Sequence, residues 1–216
     1  MKKLFLMLLL GSFWPTDDVQ AQLQKGSRYW GATIGFNGDH AKSEYTPRFS
    51  SNNNQFRVSP SLQAGWFFKD NTMFGLRAMS SLSWFKNVSE NPGQDYKSGI
   101  RNGNVSLSPF IRNYKSLSPK WAIFLHSGVN LSYIWSGVTM DEFDGTDTGY
   151  GASIYANPGI VYWFTPRFAL ESDLNLLSVS LGYTHLNGND FNFSAGVTSS
   201  ITSYFGLRAS WYLQSK

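Results

Sequence analysis

The chain has 216 residues, of which 42% are hydrophobic, 17% aromatic and only 15% charged, where a soluble domain carries about 25% charged residues. The deficit argues against an ordinary soluble surface, and the length suits one domain with a real core but not two. Without cysteine, a disulfide framework, a thiolate metal site and a cysteine nucleophile are excluded, no lipid-modified cysteine is expected, and the net charge of +4 is dispersed rather than gathered into a nucleic-acid patch.

Residues 1–21 read as a secretory signal peptide. Lys2 and Lys3 form a positive start, Leu4 to Leu10 begin an apolar run, and Val19-Gln20-Ala21 supplies a small-residue cleavage site. The apolar run is shorter than the roughly 20 residues of a spanning helix. Residues 22–216 are then the mature domain.

From about residue 27 the dominant signal is period-two alternation. Strand one sets Trp30, Ala32, Ile34 and Phe36 against Tyr29, Gly31, Thr33 and Gly35; strand two sets Val58, Pro60, Leu62, Ala64 and Trp66 against Ser59, Ser61, Gln63 and Gly65. Strand three carries Phe74, Leu76, Ala78, Leu82 and Trp84, strand four Val105, Leu107, Pro109 and Ile111, and strand five Trp121, Ile123, Leu125, Val129, Leu131 and Tyr133. Strand six runs from Ala152 to Tyr162, strand seven from Phe168 to Leu176, and strand eight from Phe193 to Leu213. Eight strands are thus expected.

Short turns near Lys69-Asp70, Ser118-Pro119 and Thr165-Pro166 alternate with long polar segments at 39–55, 87–103, 136–149 and 179–190, which are expected to be loops. That asymmetry is the pattern of a transmembrane barrel with periplasmic turns and four extracellular loops. Ser59-Pro60, Ser108-Pro109 and Asn157-Pro158 recur 49 residues apart, marking an internal repeat of strand, turn, returning strand and loop. Proline removes a ladder donor, so a bulge or a membrane-edge position is expected at each.

Alternation alone also suits a soluble lipocalin-like barrel, but that would place Lys and Glu on the polar face. Here that face is Gly, Ser, Thr and Asn with a few arginines, as a narrow lumen requires. Trp30, Trp66, Trp84, Trp121, Tyr133, Trp135, Phe168 and Trp211 lie near strand ends, where two aromatic girdles would meet the membrane interfaces. The expected fold is an all-β, eight-stranded antiparallel up-and-down transmembrane β-barrel in the cell outer membrane.

Ser59-Pro60 through Trp66-Phe67-Phe68-Lys69-Asp70-Asn71, Ser108-Pro109-Phe110-Ile111-Arg112-Asn113-Tyr114, Asn157-Pro158 through Phe164, and Phe205-Gly206-Leu207-Arg208 carry a resemblance. They resemble the outer-membrane protein β-barrel domain family of Gram-negative bacteria, often labelled porin-like and related in architecture to the small OmpA and OmpX barrels. The resemblance implies location and fold, with outer-membrane lipids and lipopolysaccharide, the barrel-assembly machinery and periplasmic chaperones as partners. The chain departs from the pattern by ending on Gln214-Ser215-Lys216 rather than on an aromatic, although Trp211 and Tyr212 are close.

Little in the sequence points to catalysis. His126 and Ser127 are adjacent on a strand and face opposite ways, so they cannot share a hydrogen bond as a nucleophile and its base must. His40 near Asp39 and His185 near Asp190 are read as solvated rim residues. The acidic stretch from Asp141 to Asp147 does not match EF-hand spacing and is read as a solvated loop. No cofactor or metal is expected.

Arg77, Arg112, His126, Glu171, Asp173 and Arg208 fall on the polar face at similar distances from the short turns, and are expected to form an ion-pair network filling the lumen. The functional reading is a non-enzymatic barrel that contributes to envelope integrity or binds a surface ligand through its long loops. The alternative is a small porin-like channel for ions or small solutes, though eight strands enclose only enough room for side chains. A lipid A-modifying or protease-type barrel enzyme is a third, weaker reading.

Overall fold

The computed structural model describes residues 23–46, 49–91, 94–140, 143–174, 178–196 and 207–213. Residues 1–21, where the signal peptide is expected, lie outside them.

Strict alternation leaves each segment with one apolar and one small or polar side, and a pleated strand is the backbone that separates two such sides. Among the described residues ten strands result: β1 (Arg28–Thr46), β2 (Phe49–Lys69), β3 (Thr72–Asn91), β4 (Gln94–Ser116), β5 (Trp121–Met140), β6 (Phe143–Thr165), β7 (Phe168–Asp173), β8 (Ser178–His185), β9 (Asn189–Gly196) and β10 (Leu207–Leu213). Each of β1 to β6 pairs antiparallel with the next, β6 pairs with both β7 and β8, and β7 pairs with β10. Pairing of β10 with β1, Trp30 opposite Trp211, closes the ring. The ring thus comprises β1 to β7 and β10, while β8 pairs with β6 beyond β7 and β9 pairs with β8. The fold is an all-β antiparallel up-and-down barrel of eight staves.

The sequence misplaces the long loops. Segment 39–55 continues the ladder from Asp39 opposite Gln55 to Thr46 opposite Phe49, and 87–103 pairs Asn87 with Ser98 and Asn91 with Gln94. Segment 136–149 pairs Ser136 with Asp147, and 179–190 becomes β8 and β9 around a turn at Asn187, whose φ is 57°. Backbone hydrogen bonds hold a hairpin together without an apolar face, so these polar stretches remain strands although they carry no hydrophobic period. Likewise strand seven breaks after Asp173 and its second part runs on to His185.

The three repeated prolines interrupt the ladder toward the stave that follows each in the chain. Pairing of β2 with β3 skips from Val58–Leu82 to Ser61–Met79, and that of β4 with β5 from Leu107–Leu131 to Phe110–Gly128, both without a register shift. Of the expected bulge or membrane-edge position, the bulge is therefore absent at Pro60 and Pro109, because the missing donor opens two successive pairs without adding a residue. At Pro158 the register does change. Ala156 opposes Val179 of β8 while Gly159 opposes Asp173 of β7, and Leu174 N–H donates to Pro158 O at 2.8 Å.

The end that carries the short turns is built by repetition. Ser27, Asn71, Lys120 and Arg167, each just before an ascending strand, accept backbone hydrogen bonds from Phe67, Tyr114, Trp163 and Tyr212. These four aromatics recur 47, 49 and 49 residues apart. All four turn inward and are buried. Residues 23–27 bind the same end, with Gly26 N–H on Phe67 O at 2.7 Å, and Leu23 joins the buried cluster. Gly26 has φ 89°, a conformation that favours glycine.

Candidate functional site

Outward residues form a broad apolar band. Ile34, Leu62, Leu76, Leu107, Leu131, Ile154, Leu181 and Leu207 are all exposed, Leu62 to 67%. Trp30, Trp66, Trp121 and Trp211 face outward near the turn end, with Trp84 and Tyr133 toward the hairpins. Phe168 and Trp135 are only half-exposed. Phe168 packs between Phe164 and Trp211, and the Trp135 indole lies over Gly103 of the neighbouring strand.

The interior differs along its length. Toward the hairpins it is lined by small polar groups, with Ser59 Oγ donating to Ser81 Oγ at 3.0 Å and Ser108 Oγ to Asn130 Oδ1 at 2.6 Å. Toward the turns it is not the small-residue lumen that composition suggests. Tyr29, Phe67, Phe110, Tyr114, Phe124, Trp163 and Tyr212 fill it, all buried. Inward glycines make the room, since the Phe124 ring lies directly over Gly159 and the Phe110 ring over Gly75, where a Cβ would collide.

Within this aromatic packing sits a charge network. Arg112 and Glu171 are fully buried, with side chains 0% exposed. Glu171 Oε2 accepts from Arg112 Nη1 at 2.8 Å, from Arg208 Nη1 at 2.8 Å and from the Tyr29 hydroxyl at 3.0 Å, while Oε1 accepts from the Tyr212 hydroxyl at 2.5 Å. Arg208 also pairs with Asp173, so two guanidinium groups face two carboxylates and charge is balanced. Arg112 donates further to the Tyr114 hydroxyl at 3.1 Å and to Gln63 Oε1 at 2.9 Å, and its guanidinium packs 4.6 Å from the Phe124 ring centroid. A buried charge is costly unless paired and hydrogen-bonded, and these are both.

His126 extends the network. Its Nδ1 is 3.3 Å from Arg112 Nη2, and arginine can only donate, so Nδ1 accepts and the ring proton sits on Nε2, which faces the Tyr155 hydroxyl at 3.2 Å. The 3.8 Å from Nδ1 to Asp173 Oδ1 is too long for a hydrogen bond.

The structure thus brings together Arg112, His126, Glu171, Asp173 and Arg208, and leaves Arg77 apart. Arg77 opposes Ser108, four residues from Arg112 along β4, and stacks over Tyr155 at 5.2 Å instead. Four strand residues span about 13 Å, more than the side chains bridge here. Sequence reasoning missed the hydroxyls of Tyr29 and Tyr212, which donate to Glu171, and the Tyr114 hydroxyl and Gln63 amide oxygen, which accept from Arg112. The signal was present, because each lies on the same parity as the predicted charges.

The other candidate residues are dispersed. His40 Nδ1 contacts Asn54 Oδ1 at 2.6 Å and His185 Nδ1 contacts Asn189 Oδ1 at 2.8 Å, and among the described residues neither bonds to a carboxylate. Of the acidic stretch, Asp141 and Glu142 lie outside the described residues, the rest belongs to β6, and Asp147 accepts from Asn187 Nδ2 at 2.6 Å.

No protein-family model and no curated protein sequence matches the chain. Among solved structures it is similar to Neisserial surface protein A, at 16% identity over 88% of this chain and 100% of that one, with a TM-score of 0.37. It is also similar to Ail, the attachment invasion locus protein of Yersinia pestis, at 10% identity over 88% of this chain and 96% of that one, with a TM-score of 0.38.

Proposed function

We propose that the chain is a non-enzymatic integral barrel of the outer membrane, sealed inside by its charge network, that contributes to envelope integrity or binds a surface ligand through its extended hairpins. The observation that carries this reading is the continuous outward apolar band on a closed antiparallel ring. A soluble protein exposing so large an apolar surface would associate through it. In lipid the same surface is an asset, and the β1–β10 pairing from Arg28 to Ala32 closes the edge of the sheet at the turn end.

Length supports the hairpins as the working surface. β1 to β6 have 19 to 23 residues each, and about 9–11 suffice to cross a bilayer. The remainder stands clear of the membrane as paired strands, which present side chains in fixed register. The polar lumen at the hairpin end favours a second reading, a small channel for ions or solutes. Such a channel has to pass Arg112 and Glu171, whose side chains are fully buried.

Gel mobility tests the membrane reading. Membrane fractions should hold a band that migrates faster unheated than boiled. Recovery as a soluble species with no heat-dependent shift would overturn it.

A further inference from the structure

We infer that the hairpin-side half of the lumen is a blind cup for a small polyhydroxylated anion, a sugar acid or a sugar phosphate, anchored by Arg77; this rests on the sealed-barrel reading above.

The unmatched charge of Arg77 is the starting point. Below it the charges balance, since Arg112 and Arg208 are matched by Glu171 and Asp173, and among the described residues Arg77 has no ion-pair partner. It faces inward from β3, reaches across the interior to the Tyr155 ring on β6, and is half-buried. Toward the turns, buried Phe110 and Arg112 occupy the interior. Toward the hairpins, the inward residues Ser59, Ser81 and Asn104 are partly exposed, so solvent space continues above the guanidinium. A charge so confined is costly unless something polar meets it there. Arg57, inward on β2 opposite Asn37 and Ser83, adds a second cation nearer the mouth, also without an ion-pair partner among the described residues. Inward carboxylates stand far from Arg77: Asp190 is exposed beside the β8–β9 turn. Asp147 is eight residues from Tyr155 along β6 and Asp39 six from Thr33 along β1, or about 26 and 20 Å.

The wall above Arg77 selects the rest of the ligand. Ser106, only 8% exposed, and Asn104 lie inward on β4, and each has a side-chain oxygen without a hydrogen-bond partner, as does Thr33 on β1. Ser106 and Asn104 are two and four residues nearer the hairpins than Ser108, which opposes Arg77. The Asn104 amide oxygen can only accept, and one rotation turns a serine or threonine hydroxyl toward the lumen. A simple carboxylate brings no proton for Asn104, and a neutral sugar brings no charge for Arg77. A molecule that carries both hydroxyls and one oxyanion meets both. Gly35, opposite Ser59, leaves the way in open, with nothing nearer than 3.7 Å to an added Cβ.

The test uses the full-length mature chain refolded in detergent micelles. The heat-dependent gel shift reads folding and planar-bilayer recording reads closure, so failure of the sealed barrel and failure of the cup are distinguishable. Glucuronate, glucose 6-phosphate, glucose and acetate are each titrated by isothermal calorimetry. At least one of the two sugar anions should bind about tenfold or more tightly than both glucose and acetate, and the pair tells a carboxylate ligand from a phosphate one. Arg77→Gln should abolish that preference and Ser106→Ala should weaken binding severalfold, while Lys115→Gln at the turn end leaves it unchanged. No binding, or equal affinity for all the solutes, in a folded and sealed wild type would overturn the proposal. So would an unchanged preference in Arg77→Gln or an equal loss in Lys115→Gln. Because the solutes are compared on the wild type, the result stands even where a variant folds poorly.

Discussion

Arg112 of β4 and Glu171 of β7 meet across the barrel at 2.8 Å, three staves apart around the ring and 59 residues apart in sequence. No local interaction brings them together, so the contact forms only when β4 to β7 have paired and curled toward one another. Removing one partner of a buried pair leaves the other charged and unpaired, at a cost of about 3–5 kcal/mol. Glu171→Ala should destabilise the barrel by that amount, measured by urea unfolding in lipid vesicles. Adding Arg208→Ala should recover part of the loss, because Arg208 is one of the two cations left without this acceptor. Simple additivity of the two losses would contradict a shared network.

Arg77 should behave differently from Arg112. It contributes a ring contact with Tyr155 and, among the described residues, no ion pair, so Arg77→Ala should cost about 0.5–2 kcal/mol. Arg112→Ala should cost at least twice as much in the same unfolding assay. Equal losses would place Arg77 inside the network after all.

Gly159 is small because the Phe124 ring occupies the position of its Cβ. Gly159→Ala should destabilise by about 1–3 kcal/mol through overpacking. Combining it with Phe124→Leu should relieve part of that strain. If the double variant is less stable than the sum of the two single losses predicts, the ring does not set the size limit at residue 159.

The staves were legible because alternation is a direct imprint of a two-sided wall: Leu62 and Leu107 outward, Gln63 and Ser108 inward. The hairpins were not, because residues such as Asn52, Asn53 and Asn54 carry no hydrophobic period and their ladder is a property of the backbone. Glu171 and Arg208 could be placed together, being directly opposed on neighbouring strands. Arg77 could not be separated from Arg112 by counting from the turns, since the register between β3 and β4 offsets them by four residues. The inward ring of Phe67, Tyr114, Trp163 and Tyr212 repeats as regularly as the prolines. Parity puts these four on the inward face, but reading aromatics only for a membrane girdle passes over them.

Protease accessibility separates a paired hairpin from a loop and reports its side of the membrane. On whole cells, cleavage should concentrate at the hairpin tips, around 46–49, 91–94 and 140–143, and spare the ladder between 39 and 45. Even cutting across 39–55 would contradict the paired hairpin, and cutting confined to the turn at Lys69-Asp70 would invert the orientation.

The central claim is a barrel that spans a membrane and is sealed by its own side chains, and single-channel recording in planar bilayers tests it most directly. The purified wild type should insert and give no steady conductance, because buried aromatics and the Arg112–Glu171–Arg208 bridge occupy the interior toward the turns. Large, steady channels in the wild type would contradict the sealed lumen and put the small-solute channel in its place.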